Sequence, residues 1–149
     1  MTIQDLNAPL YAASLAGLLI ILQTALMLTV GLYRGRIGQF VGLGEDPKME
    51  RLARRHGNLA ENAGLFVGAL ALLELLSGQT ALVIWLAIIF AAARILHAIA
   101  FSDLAGSHGV SKGGAKRIFV LSRISGAMLT AMTSFALGGA LIYAVLALT

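Results

Sequence analysis

The chain has 149 residues, of which 58% are hydrophobic and only 12% are charged. Because a soluble domain carries about 25% charged residues, this composition excludes an ordinary soluble protein and indicates a membrane protein. The absence of cysteine excludes a disulfide framework and a zinc–thiolate site, and we expect neither a metal nor a nucleic-acid partner.

Four long apolar segments follow in chain order, and each predicts a membrane-spanning helix. The predicted helices cover about residues 8–33, 47–76, 80–102 and 115–148. Each contains, or comes close to, the roughly 20 apolar residues that cross the hydrocarbon core of a bilayer as a helix. The fold class expected from this pattern is an all-α membrane protein, in which residues 1–149 form a single four-helix transmembrane domain.

The second predicted helix begins at a clear start signal. Asp46 is expected to cap the helix through its carboxylate, and Pro47 fits the first helical position. A helix from there to residue 76 is roughly 45 Å long, whereas a hydrocarbon core is about 30 Å thick. Its first turns are therefore expected to stand in the lipid headgroup layer or beyond it.

The 11 lysine and arginine residues all lie on, or lean toward, the side of the membrane that carries the 1–2 and 3–4 loops. The opposite side carries only two acidic residues, Asp5 and Glu74. This distribution predicts cytoplasmic loops and outside termini, as in an integral protein of a bacterial inner membrane. Orientation and contact with lipid headgroups are the roles expected of Arg36, Lys48 and Lys112.

A polar face on helix 2 is not explained by orientation. At 100° per residue, one face carries the polar residues Arg51, Arg54, Arg55, Asn58, Glu61 and Asn62. Among these, Arg51, Arg54, Asn58 and Glu61 are the expected functional residues. His56 points away from this face, which favours a structural role for it. A charge near the bilayer centre costs about 2.5–3.5 kcal/mol, and such residues usually face a bundle interior or a cavity. The face is therefore expected to form a binding site or, alternatively, an ion-pair lock between helices.

Basic residues from all four helices are expected at one membrane depth, where they form a ring. The ring consists of Arg34, Arg51, Arg54, Arg94, Lys116, Arg117 and Arg123. His97 lies three residues after Arg94 and shares its helix face. Because Glu61 is the main opposing charge, the ring predicts a pocket for an anionic ligand with several carboxylates, in which Glu61 accepts an ammonium group.

The pattern E-R-x-x-R-x-H-x-N-x-x-E, from Glu50 to Glu61, resembles the helix 2 signature of the MAPEG family. These are the membrane-associated proteins of eicosanoid and glutathione metabolism, which include microsomal glutathione transferases. The length, the four spans and the segments YRGR at 33–36 and RILH at 94–97 extend the resemblance over nearly the whole chain. It implies a homotrimer whose glutathione sites lie between neighbouring subunits, near the cytoplasmic face.

The resemblance also implies a role for each site residue. The implied glutathione contacts and supporting cations are Arg34, Arg51, Arg54, Asn58, Glu61, Arg94 and His97. Glu61 would take the ammonium group of the tripeptide. Arg117 matches the arginine that stabilises the glutathione thiolate, and Arg123 takes that role if the register of helix 4 is different.

The activity implied by the resemblance is that of a transferase or peroxidase with glutathione as co-substrate. Its second substrate would be a lipophilic electrophile or a lipid hydroperoxide that arrives from the bilayer lipids. Phe101 and Ile118 depart from the family pattern, since several members carry a tyrosine and some a serine there. This departure keeps open a non-catalytic protein that binds glutathione or a lipid. A small organic-anion transporter subunit is a further alternative, although its path should be polar along its length.

Overall fold

The computed structural model describes residues 8–102 and 114–148. They form four helices in chain order, which are α1 Leu10–Ile37, α2 Pro47–Ser77, α3 Ala81–Ala100 and α4 Gly114–Leu146. No strand occurs among these residues, and all four helices are long and apolar enough to cross a membrane. The predicted all-α four-helix membrane bundle is therefore confirmed. Asp5, Lys112 and most of the loop between helices 3 and 4 lie outside the described residues.

The first helix ends one turn later than predicted. The sequence predicts an end at residue 33, where charged residues begin, but α1 continues to Ile37. Gly38 closes the helix in the left-handed conformation with φ 69°, and its N–H donates to the carbonyl of Arg34. Charged side chains do not interrupt helical hydrogen bonds, so the helix ends where a residue without a Cβ permits this turn. The other helix boundaries lie within two residues of the prediction.

The start of α2 has the predicted cap. The Asp46 carboxylate accepts hydrogen bonds from the backbone N–H groups of Lys48 and Met49, at 2.8 and 3.2 Å. The Tyr33 hydroxyl of α1 donates to the same carboxylate at 2.8 Å. These bonds, that of Tyr33 foremost, lower the pKa of Asp46 below its usual value, although desolvation opposes them. The cap thus also ties the end of α1 to the start of α2.

The opposite ends of α1 and α2 are joined by a second carboxylate. Glu74 is only 1% exposed, and it accepts hydrogen bonds from the backbone N–H groups of Tyr11 and Ala12 at 3.0 and 2.9 Å. The first residues of a helix have N–H groups without intrahelical partners, and Pro9 provides no side-chain cap for α1. Glu74 therefore caps α1 from the neighbouring helix.

The core of the bundle lies between two helix pairs. α1 packs mainly against α2, and α3 packs mainly against α4, while α2 also contacts both α3 and α4. Phe66 of α2 and Phe90 of α3 stack with their ring centroids 3.6 Å apart. Leu70 and Val83 are fully buried beside them. These contacts bury the apolar face of α2 in the bundle, and the polar residues of α2 lie on its other faces.

The backbones of α3 and α4 approach each other closely at Gly126. A Cβ atom at this position would lie 3.0 Å from the carbonyl oxygen of Ala93 and 3.0 Å from the backbone nitrogen of His97. Backbone atoms within a helix cannot move away without shifting the helix. The small residue at 126 therefore permits the contact between the two helices that carry His97 and Arg123.

The substitution Gly126→Ala is expected to lower the free energy of unfolding by about 1–3 kcal/mol, because the added methyl group overpacks the α3–α4 contact. Gly139→Ala is the matched control, since no heavy atom lies within 4 Å of its Cβ position. Thermal unfolding in detergent, followed by the fluorescence of Trp85, measures both variants. Equal melting temperatures for the two variants would show that the helix contact tolerates a methyl group.

Candidate functional site

The predicted polar face of α2 lies on the outside of the bundle. Arg54 and Glu61 are exposed, and the side chain of Arg54 is 62% accessible. Leu65 and Leu72 continue the same face deeper into the membrane-spanning part, and they are 85% and 55% exposed. The helices of the same chain therefore leave the polar face and its apolar continuation open.

The ion pair on this face is formed within one helix. Arg54 Nε lies 3.8 Å from Glu50 Oε1, one turn earlier along α2. An exposed pair of this kind contributes about 0.3–0.5 kcal/mol to stability. The alternative interpretation of the polar face was an ion-pair lock between helices. The ion pair of Arg54 does not form such a lock, because both of its residues belong to α2.

Asn58 stands at the centre of the face and connects it to the bundle interior. Its side-chain amide donates to the carbonyl of Arg54 at 2.9 Å. Its backbone carbonyl accepts from the Asn62 amide at 2.8 Å and from Arg94 Nη1 of α3 at 3.2 Å. The position of Asn58 on the outer face is thus linked to a buried cation behind it.

Arg94 lies inside the bundle, where α2, α3 and α4 meet. It is 3% exposed, and its Nη2 donates to the Thr130 hydroxyl of α4. Its guanidinium carbon lies 5.5 Å from the centroid of the Phe90 ring. Arg94 therefore stands behind the polar face, and its contact to the face passes through the backbone of Asn58.

His97 belongs to a second group of site residues at the end of α3. Its ring stacks on the buried Phe101, with centroids 5.3 Å apart. Phe101 meets the edge of Phe119 at 5.9 Å. The guanidinium carbon of Arg123 lies 5.7 Å from the centroids of both phenylalanine rings. This cluster combines a cation, an imidazole and two aromatic rings from α3 and α4.

The two candidate arginines of α4 occupy different sides of the helix. Six residues separate them, which amounts to roughly 240° of rotation. Arg123 contacts the aromatic cluster beside His97, whereas Arg117 is an exposed residue near the start of the helix. Of the two arginines, these contacts bring only Arg123, the second candidate for the thiolate-stabilising residue, close to another predicted site residue, His97.

The face of α2 that packs on α1 carries His56 and also Arg55, so Arg55 does not point outward with the rest of the polar face as the sequence predicts. The side-chain amide nitrogen of Gln23 lies 2.7 Å from His56 Nε2. Arg55 Nη2 donates to the Thr29 hydroxyl at 3.2 Å. The expectation that His56 points away from the polar face is confirmed, and its hydrogen bond joins α2 to α1.

Glu61 lines a cavity of about 290 Å³ between α2 and α4. The other polar residues of this cavity are Asn62 and Ser134, and its apolar wall includes Leu65, Phe66 and Leu137. Sequence reasoning did not select Asn62 or Ser134 as site residues. The sequence could have indicated Asn62, because it lies beside Asn58 and Glu61 on the helix. It gives no such indication for Ser134, which is a single serine in an apolar part of helix 4.

Arg34 lies in the last turn of α1, and its Nη1 donates to the carbonyl of Gln39 in the following loop at 3.4 Å. Within one chain, the candidate residues therefore form separate groups. One group is the outer face of α2, and the second is the cluster of His97 with Arg123, with Arg94 between α2 and the other two helices. Neither group is closed by the described residues of a single chain.

Comparison with known proteins identifies the family of the chain. The family model of the MAPEG family matches residues 9–146 of the chain. A search of the curated proteins and a search of the solved structures each returned no match. Because the family match covers nearly the entire sequence, including all four helices, the chain belongs to the MAPEG family.

Proposed function

We propose that the protein is a glutathione-dependent transferase or peroxidase that acts on lipophilic electrophiles or lipid hydroperoxides from the bilayer. The observation that carries this proposal is the outer face of α2. It presents Arg54, Asn58 and Glu61 outside the bundle, on a helix long enough to cross a membrane. The family to which the chain belongs includes glutathione transferases and peroxidases.

The exposed polar face supports assembly of the chain into a homotrimer. Charged residues within a membrane-spanning segment usually face a protein interior or a water-filled cavity. A second copy of the chain would cover Glu61 together with the exposed Leu65 and Leu72. The glutathione sites would then lie between subunits. We place them near the cytoplasmic face of an inner membrane, because the basic residues cluster at that end of the helices.

Glutathione matches the charges of this face. The tripeptide carries two carboxylates, one ammonium group and one thiol. Arg51 and Arg54 would bind carboxylates, with Arg34 and His97 as further contacts, and Glu61 would bind the ammonium group. Asn58 would supply a neutral hydrogen-bonding group between them.

Activation of the thiol requires one well-placed cation. A free thiol has a pKa of about 8.5, and only its thiolate is a good nucleophile. Lowering this pKa to about 6.5 requires about 2.7 kcal/mol. One guanidinium at 4 Å supplies roughly 4 kcal/mol at an effective dielectric of 20, before its desolvation is subtracted. A single arginine is therefore sufficient.

Arg123 is better supported than Arg117 as this arginine. It contacts Phe101 in the cluster that also holds His97, whereas Arg117 lies on another side of α4. In the transferase reaction, the thiolate sulfur would form a bond to an electrophilic carbon as the leaving group departs with its electron pair. In the peroxidase reaction, sulfur would take the terminal oxygen as the O–O bond breaks and the alkoxide gains a proton. A second glutathione would then yield the disulfide and water.

A non-catalytic glutathione-binding protein is the second candidate, and Phe101 is the observation that favours it. Phe101 packs against His97 and Phe119 and is buried. Because phenylalanine has no hydroxyl group, it cannot donate a hydrogen bond to the sulfur as a tyrosine would. Binding through α2 would be unaffected by this difference. The two candidates thus differ in the state of the bound thiol.

The test is glutathione binding to the purified protein, followed by the ultraviolet band of the thiolate as a function of pH. We expect the band to appear near neutral pH in the parent protein. Arg123→Gln should remove it at pH 7 while glutathione binding is largely retained, because the charge acts on the sulfur. The matched variant Arg117→Gln should keep the band.

Each other outcome of this experiment has a distinct meaning. Loss of the thiolate band in Arg117→Gln alone would show that Arg117, not Arg123, stabilises the thiolate. Binding without a thiolate band in the parent protein would favour the non-catalytic candidate. Absence of glutathione binding, in a preparation that native mass spectrometry shows to contain three folded copies, would overturn both candidates.

A further inference from the structure

A second polar cavity, of about 340 Å³, lies between the end of α1 and the start of α2. Its lining includes Thr29, Tyr33 and Arg36 from α1 and Lys48, Leu52 and Arg55 from α2. In each helix the three lining residues are separated by four and then by three residues. Each set of three therefore lies on one face of its helix. Three cations from two helices therefore converge on a single cavity.

Contacts among the lining residues hold the cavity in shape. Arg55 Nη2 donates to the Thr29 hydroxyl at 3.2 Å. Lys48 Nζ lies 5.3 Å from the centroid of the Tyr33 ring. The Tyr33 hydroxyl donates to the carboxylate of Asp46. With Arg36, the cavity has three positive charges near one negative charge, so its net charge favours an anion.

This cavity borders the polar face of α2 but has a lining of its own. Arg55 lies about 40° from Arg51 around the helix axis, at the edge of that face. The cavity lining contains none of Arg51, Arg54, Asn58 and Glu61. From the sequence, Arg36 and Lys48 are expected only to orient the protein in the membrane and to contact lipid headgroups in general. A cavity that gathers them with Arg55 and Tyr33 is more specific than a general attraction to a charged surface.

We propose that this cavity binds a phosphate group, either in the headgroup of an anionic phospholipid or in a soluble phosphate ester. Guanidinium and ammonium groups together match the oxygens of a phosphate. Leu32 and Leu52 also line the cavity, and Leu32 is 75% exposed. The cavity lies where two membrane-spanning helices end, so the acyl chains of a lipid could pass along these leucines. The proposal does not rest on the glutathione chemistry.

The test measures lipid binding to the full-length protein by native mass spectrometry. The probes are dioleoyl phosphatidylglycerol and, as the zwitterionic control, dioleoyl phosphatidylcholine. We expect phosphatidylglycerol to bind more tightly. One cation near a lipid surface contributes about 1 kcal/mol to binding. Lys48→Gln and Arg36→Gln should therefore each weaken the binding of phosphatidylglycerol about fivefold, and the double variant should weaken it roughly 30-fold. Arg117→Gln removes an equal charge outside the cavity and should change binding less than twofold.

A second arm distinguishes the two sources of phosphate. Glycerol phosphate is titrated into the protein in zwitterionic detergent, with the thermal shift as the readout. A shift that depends on Lys48 and Arg36, without preference for phosphatidylglycerol, would support the cavity as a site for a soluble phosphate. Equal effects of Lys48→Gln and Arg117→Gln in both arms would overturn the proposal. Competition by glutathione would also overturn it, since the cavity would then belong to the glutathione site.

Discussion

Replacement of Glu74 with alanine is expected to destabilise the protein by about 3 kcal/mol, because two hydrogen bonds to a buried carboxylate are lost together. Tyr11 and Ala12 donate these bonds from the first turn of α1. After truncation, both N–H groups would remain without an acceptor in an apolar environment, and the positive end of the helix dipole would lose its counter-charge. The loss should thus weaken the start of α1 and its packing on α2.

Thermal unfolding in detergent and protease sensitivity near residue 10 measure this effect. Glu74→Gln retains one acceptor oxygen and the same volume, so about half of the loss is expected. Glu50→Ala removes a half-exposed carboxylate from the same helix and should change stability by less than about 0.5 kcal/mol. If Glu74→Ala were as stable as Glu50→Ala, the carboxylate would not be capping α1 in the folded protein.

The role of Glu74 shows where sequence-based reasoning ends for this fold. The lengths of the apolar segments predict four helices, and Asp46 with Pro47 predicts the start of α2, because both signals are local. In the sequence, Glu74 is only a charge on the side opposite to the basic loops. Its contact with Tyr11 and Ala12, more than 60 residues away, depends on the antiparallel packing of α1 and α2.

The candidate site divides in the same way. The helical period of 100° per residue is sufficient to place Arg54, Asn58 and Glu61 on one face of α2, since all three belong to one continuous helix. The same period cannot choose between Arg117 and Arg123, because that choice depends on how α4 packs against α3. Their packing at Gly126 turns Arg123 toward Phe101, and no local pattern carries this information.

The buried position of Arg94 leads to the opposite expectation from that of Glu74. Arg94→Met should change the free energy of unfolding by less than about 1 kcal/mol, because two opposing effects nearly cancel. The variant loses hydrogen bonds from the guanidinium to Asn58 and Thr130, each worth about 1.5–3 kcal/mol. It also removes a desolvated charge whose burial costs several kcal/mol.

The acceptors of Arg94 would not be left without hydrogen bonds. The Asn58 carbonyl also accepts from the Asn62 amide, and the Thr130 hydroxyl itself donates to the carbonyl of Gly126. Methionine has a flexible side chain of similar length, so it can fill the space between Phe90 and α4. These features explain why removal of this buried charge is tolerated, whereas truncation of Glu74 is not.

Glutathione binding should respond more strongly than stability to Arg94→Met. A cation roughly 10 Å from an anionic ligand contributes about 1.7 kcal/mol at an effective dielectric of 20, so the dissociation constant should rise about 15- to 20-fold. Thr130→Val is the control, because it removes one hydrogen-bond acceptor but keeps the guanidinium charge, and its affinity should stay close to that of the parent. Calorimetric titration with glutathione, together with thermal unfolding, measures both variants. If Arg94→Met instead unfolded readily and its folded fraction bound glutathione normally, Arg94 would be a structural residue that joins α2, α3 and α4.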